Sequence, residues 1–401
     1  MTFSILSDVL GGLRGRDGGR RVGPPERHYY TPARQFEQSL DIYRPTVDAD
    51  AAASAPVVAL VVGSAWLGHR PLVYLGTSWW NSAGPRTVAE LGNVCICIRH
   101  RGSFPKTWSL LTLSVVLAVA ALVPALLNAV ASQRGWDWLE DVAGETLFAG
   151  RAGGFLLAAV TGLLLVELGG IGAATYDEMQ RDVVDALAWC QAHEGRLRLA
   201  RGLPASESKR LFIFGGYSSG GHVAATVSQT PRLWEERGLD LPHVHCDAML
   251  YISAVLATRY DDDAVPRAGA AASPATSPGT PSGGSPSPTP APPTWLVDQI
   301  VRAVFGGAAA ATLPSPLHAC ARSPAVPHAF LGCEREAFGL TWLDAFFAGP
   351  ACCAALTARG VASRCAAVRS DHWSILNSHE LSFALRRELE WIERECRKSR
   401  R

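Results

Sequence analysis

The chain has almost no net charge, with 37 Lys and Arg against 36 Asp and Glu. No overall field draws it toward nucleic acid or an anionic surface, and no nucleic-acid partner is expected. Its ten cysteines include no CxxC pair and no Cys/His grouping at zinc spacing, so neither a metal nor a cofactor is implied. Cys95, Cys97, Cys190 and Cys246 sit inside apolar segments, where a thiol packs as a small hydrophobe, and a reducing environment fits that usage. Nor does the opening stretch 1–21 read as a secretory leader, because Asp8 and several glycines interrupt the apolar run before any small-residue cleavage site.

Charge is also absent from Leu110 to Ala131, where LLTLSVVLAVAALVPALLNAVA runs for 22 residues, long enough to cross a bilayer core as a helix. A second apolar stretch, Ala152 to Tyr176, carries Glu167 and the glycines 169, 170 and 172. Sheet-like segments lie on both sides of this pair, so a chain with one sheet crosses twice or not at all. The expectation is an inserted transmembrane helical hairpin over 108–175, with the lipid bilayer as a partner. Arg99, Arg101 and Lys106 flank its start, whereas the connecting loop holds Arg134 and Arg151 among four acidic residues. The positive-inside tendency then places the main body in the cytosol, on an endomembrane. Residues 265–294 are dominated by Pro, Ser, Gly and Ala, a composition that cannot offset its ordering entropy, and they are expected to be disordered.

Short apolar runs bounded by turn residues predict strands at Pro56 to Val62, Val94 to Ile98, Leu211 to Gly215, Asp247 to Ala254 and Pro327 to Gly332. Met179, Val183, Leu187 and Cys190 recur at helical spacing, as do Leu381, Leu385, Leu389 and Ile392. Strands alternating with amphipathic helices predict an α/β fold with a mostly parallel central sheet flanked by helices. The expected body comprises residues 28–107, 176–264 and 295–401, interrupted by the hairpin and by the Pro/Ser-rich insertion.

The segment LFIFGGYSSGGHVAATV, from Leu211 to Val227, is an apolar strand, then Gly216-Tyr217-Ser218-Ser219-Gly220, then a small-residue helix. A GxSxG in that context is a sharp strand-to-helix turn that exposes the central serine, and it marks Ser218 as a nucleophile. A hydroxyl needs a base, which follows late in the chain in this arrangement. His372 comes after a strand-like run and before the last helix, with His379 as fallback; His222, His243 and His245 read as structural. The acid belongs between serine and histidine, just past a strand. Glu336 is preferred there, Glu334 is the alternative and Asp344 ranks third. Backbone amides of Gly63, Ser64 and Ser219 are expected to form an oxyanion hole.

These residues resemble the isoprenylcysteine methylesterase branch of the α/β-hydrolases, related to the hormone-sensitive-lipase-like esterases. The resemblance rests on SLDIYRP (39–45), VVGSAW (61–66), RGSFPK (101–106), DEMQRDVVDAL (177–187) and GYSSGGH (216–222). It implies the α/β-hydrolase fold and hydrolysis of carboxylic esters, with a small or lipophilic ester as substrate. Two departures stand out. The hydrophobic hairpin separates two motifs that are nearly adjacent in that family, and Arg335 stands where it has its acid. The alternatives are an amidase, lipase or peptidase using the same triad, or an inactive α/β-hydrolase-fold scaffold or binding protein. Oligomeric state leaves no mark in the sequence.

Overall fold

A computed structural model describes residues 22–45, 55–64, 66, 83–102, 174–193, 211–238, 246–258, 315–336, 346–372 and 375–399. Eight strands form one sheet: β1 (Glu26–Tyr29), β2 (Ser39–Tyr43), β3 (Val57–Val61), β4 (Val94–Ile98), β5 (Phe212–Tyr217), β6 (Cys246–Ile252), β7 (His328–Arg335) and β8 (Ser363–Asp371). Their spatial order is β1-β2-β4-β3-β5-β6-β7-β8. The β1–β2 and β2–β4 pairs are antiparallel, and every other neighbouring pair is parallel.

The parallel strands are short and apolar on both faces, which requires a helical layer on each side. One face carries Val57, Ala59, Val61, Ile96 and Phe214 against α1 (Tyr176–Ala192), α2 (Ser219–Ser228), the short α3 (Pro231–Glu235) and α4 (Gly349–Ala358). The other carries Val58, Leu60, Ile213, Leu250 and Leu331 against helical residues 83–90 and α5 (His379–Ser399). Thr175 and Glu178 close a capping box at the start of α1, which satisfies two of the orphan amides there.

β1 begins at Glu26, so the sheet starts inside the segment set apart as 1–27, and β2 adds a strand that apolar runs did not announce. β2 is wholly buried despite its polar Ser39 and Asp41. Asp41 accepts from Arg27 Nε at 2.9 Å and pairs closely with the fully buried Arg99, so its charge is matched. Expected strand ends also move. β5 runs on to Tyr217, and β7 continues past Gly332 to Arg335 because β8 keeps pairing with it through a register shift in which Arg335 faces Asp371. Two residues of β7 there span three of β8, a bulge in β8 just ahead of His372, and a bulge of that kind re-aims the side chains that follow it.

Just before the chain leaves the described residues at 102, Arg101 binds the α1 residue Asp182. Its amide lies 2.9 Å from Asp182 Oδ2, its guanidinium contacts both carboxylate oxygens, and Glu178 stands 3.6 Å away. The apolar stretches 110–131 and 152–173 lie outside the described residues, as do the Pro/Ser-rich insertion, His243, His245 and Asp344. Among the described residues no helix is long and apolar enough to cross a membrane.

Candidate active site

β5 delivers Ser218 at its C-terminal end, and α2 starts one residue later. Ser218 has φ 54 and ψ −127, a conformation that costs on the order of 1–3 kcal/mol and persists only where the surroundings hold it. They hold it at both peptide groups: its N–H donates to the Ile252 carbonyl at 3.1 Å, and its carbonyl accepts from Val255 N–H at 3.1 Å. A Cβ added at Gly216 would stand 2.7 Å from Gly220, so the two motif glycines close the turn by direct backbone packing.

His372 follows β8 and places Nε2 2.9 Å from Ser218 Oγ. Its ring stacks on Tyr217 at 5.2 Å between centroids and meets Phe347 at 4.9 Å, while the Tyr217 hydroxyl donates to its backbone carbonyl at 2.6 Å. Burial first, then the neighbouring Cys333 and Glu336, hold the Tyr217 phenol well above its ordinary range, so it stays a donor. The nearby Cys333 thiol is likewise pushed up by burial and by Glu336, and it stays protonated rather than nucleophilic.

Glu336, buried just past β7, accepts from Cys333 N–H at 2.7 Å through Oε1. Its Oε2 lies 3.5 Å from His372 Nδ1, too long for a strong hydrogen bond. Ser253 fills that gap from the end of β6: its Oγ is 2.6 Å from Nδ1 and donates to Glu336 Oε2 in a short contact. The protons then follow from the donors available. A carboxylate only accepts, so the Ser253 proton points to Glu336 and His372 Nδ1–H donates to Ser253. That leaves a lone pair on Nε2 facing Ser218, the tautomer that a general base requires.

The structure thus brings Ser218, His372 and Glu336 together and adds Ser253, which sequence reasoning missed. Glu334 is exposed on β7 and His379 is exposed at the first position of α5; the hydrogen-bond partner of Ser218 Oγ is His372 instead. Gly63 and Ser64 leave β3 beside the elbow, where a Cβ at Gly63 would come within 2.7 Å of Ser218 Cβ. The Ser64 amide, expected to face the substrate, is engaged instead by the Ser219 hydroxyl oxygen at 3.0 Å, and the Trp66 amide joins it at 3.3 Å. The Trp66 indole N–H meets the buried His222 at Nδ1, 3.3 Å away, and Tyr176 Oη is 2.9 Å from the same nitrogen.

Gly63, Ser218, Ser253, Glu336 and His372 follow the C-terminal ends of β3, β5, β6, β7 and β8, where open α/β sheets place their sites. No family model matches the chain, and no curated protein matches it in sequence. Solved structures do match. Esterase B from Lactobacillus Rhamnosis (HN001) is similar with a TM-score of 0.54 at 12% identity, covering 99% of this chain and 93% of that one. Esterase B from the same organism in its structure with a C4-C4 SN3 tributyrin phosphonate gives 0.55 at 13% identity, covering 99% and 93%. The C6-C4 SN3 inhibited form gives 0.54 at 13%, covering 99% and 94%. What is shared with them is the fold, that of the α/β-hydrolases.

Proposed function

We propose that the chain is a serine hydrolase that cleaves carboxylic esters through an acyl-enzyme. The observation that carries this reading is the hydrogen-bonded line from Ser218 Oγ through His372 and Ser253 to Glu336, with a serine on a strained elbow at one end and a buried carboxylate at the other. Ser218 Oγ attacks the ester carbonyl while its proton passes to His372 Nε2. The imidazolium that forms is stabilised by Glu336 through the Ser253 hydroxyl. The oxyanion is held by the Ser219 amide at the positive end of α2 and by the Gly63 amide beside the elbow. As the intermediate collapses, His372 returns the proton to the leaving alcohol; water then repeats the sequence on the acyl-enzyme.

Esters rather than amides are favoured by the similarity to Esterase B, which is inhibited by a tributyrin phosphonate, and by the resemblance to prenylcysteine methylesterases. The charge-free run 110–131 supports a bilayer hairpin that would bring lipophilic esters to a body on the cytosolic side. Labelling with a fluorophosphonate tests the core of the proposal, alongside turnover of 4-nitrophenyl butyrate. Wild type should label and turn over, whereas Ser218→Ala and His372→Ala should lose both by at least about 10³-fold. A folded wild type that does neither sinks the reading, and preference for an anilide over the ester would move the assignment to an amidase.

A further inference from the structure

The loop after β3 poses a question of backbone accounting. Val62 N–H donates to the Ile98 carbonyl at 3.2 Å, and beyond it the chain leaves the sheet, so its amides need other partners. Those of Ser64 and Trp66 converge on one atom, Ser219 Oγ, at 3.0 and 3.3 Å. Ser219 is the first residue of α2 and is 1% exposed, so its hydroxyl accepts from the loop in a site shielded from solvent. Trp66 is itself held at φ 61, a conformation that a bulky side chain adopts only under constraint. It is constrained at both of its donors: the main-chain N–H by Ser219, and the indole N–H by His222 Nδ1 at 3.3 Å. An indole nitrogen can only donate, so Nδ1 of His222 must present its lone pair.

We infer that the Ser219 side chain is a positioning residue for the oxyanion hole: its oxygen gathers the Ser64 and Trp66 amides and fixes the loop against the nucleophile elbow. This rests on the ester-hydrolase reading above. One short helix then carries the whole arrangement, with Ser218 at its cap, the Ser219 amide aimed at the developing oxyanion, and the Ser219 hydroxyl and His222 ring setting the other wall. Close approach of Gly63 to Ser218 means that a shift of the anchored loop moves the Gly63 amide relative to the reacting carbon directly. A donor to the oxyanion acts chiefly on the transition state, so displacing it by releasing the loop lowers kcat rather than raising KM.

The test uses the full chain with Ser219→Ala, which removes one oxygen and keeps the backbone amide. Hydrogen exchange at the Ser64 and Trp66 amides should accelerate at least about tenfold. With 4-nitrophenyl butyrate, kcat should fall about 10- to 100-fold with KM within about twofold, below the loss seen when a donor is deleted outright. Trp66→Phe, which keeps the ring and drops the indole N–H, should lower kcat in the same direction by less. Unchanged exchange in Ser219→Ala overturns the anchoring, and faster exchange with kcat within about twofold of wild type overturns its link to the oxyanion. A wild type without ester turnover fails the underlying reading and takes the inference with it. Turnover that is lost in Ser218→Ala but intact in Ser219→Ala overturns the inference alone.

Discussion

Backbone strain concentrates where the chemistry is proposed. Among the described residues four non-glycines have positive φ, namely Arg34, Trp66, Ser218 and Ser253, and the last three line the candidate site. Such conformations are retained where surrounding contacts over-determine them. Ser253 is tied on three sides, by its N–H to the Leu331 carbonyl at 2.6 Å and by its hydroxyl to His372 and Glu336. Its substitution by Ala should leave a gap of 3.5 Å between carboxylate and imidazole, loosening the tautomer and orientation of the base without removing it. A fall in kcat/KM of about 10- to 100-fold is expected, smaller than that of His372→Ala. Steady-state kinetics of the two variants side by side would check the order, and equal losses would remove the intermediary role of Ser253.

At the scale of elements, β7 leads into a site residue at one end and carries a pH liability at the other. His328 opens the strand, buried against Tyr251 and Phe330, and its Nε2–H donates to the Pro324 carbonyl at 3.0 Å. Its Nδ1 is buried with no hydrogen-bond partner among the described residues. Burial is therefore the main force lowering its pKa from 6.5 to about 4, with Arg359 opposing the charge further. The unfolded imidazole takes up a proton near pH 6.5 that the folded one refuses until about pH 4. Stability is thus intact above pH 6.5 and lost as pH falls through that window, by up to about 3 kcal/mol. Urea titrations at pH 7 and pH 4.5 should show a smaller loss for His328→Gln than for wild type, and an equal loss would assign the sensitivity elsewhere.

The same elements explain what was legible in the sequence. The apolar runs of β3, β4, β5, β6 and β7 were readable because buried parallel strands need no polar face, and Ser218 and His372 because motif and chain order constrain them. β2 was not, since Asp41 looks like a surface residue until Arg27 and Arg99 are folded against it. Ser253 was not, since a serine closing an apolar strand has no pattern of its own. Its signal was positional: it ends the strand next to the one that bears the nucleophile. The choice of Glu336 over Glu334 could not come from spacing, because both are carboxylates past an apolar run. Burial of one and exposure of the other is decided by how β7 pairs with β8.

Taken as a whole molecule, the sheet gathers residues from 63 to 372 at one edge while two long segments of distinctive composition stay outside the described body. If 108–175 is a bilayer hairpin, as proposed, a glycosylation acceptor placed near Gly135 should be modified in microsomes while one in α5 is not. The protein should also resist extraction by alkaline carbonate. An unmodified loop together with carbonate release would leave only the hydrolase body of the proposal.

The Arg101–Asp182 pairing has a consequence for chain length. Because the residue that precedes the 103–173 excursion is clasped to the helix that follows it, both ends of that excursion are fixed close together before a single inserted residue is counted. For a flexible connection between two points already held together, closure entropy grows only with the logarithm of length, about 0.6 kcal/mol per doubling. The clasp thus makes this a position at which the sheet would register little of a change in the length of chain between 102 and 174.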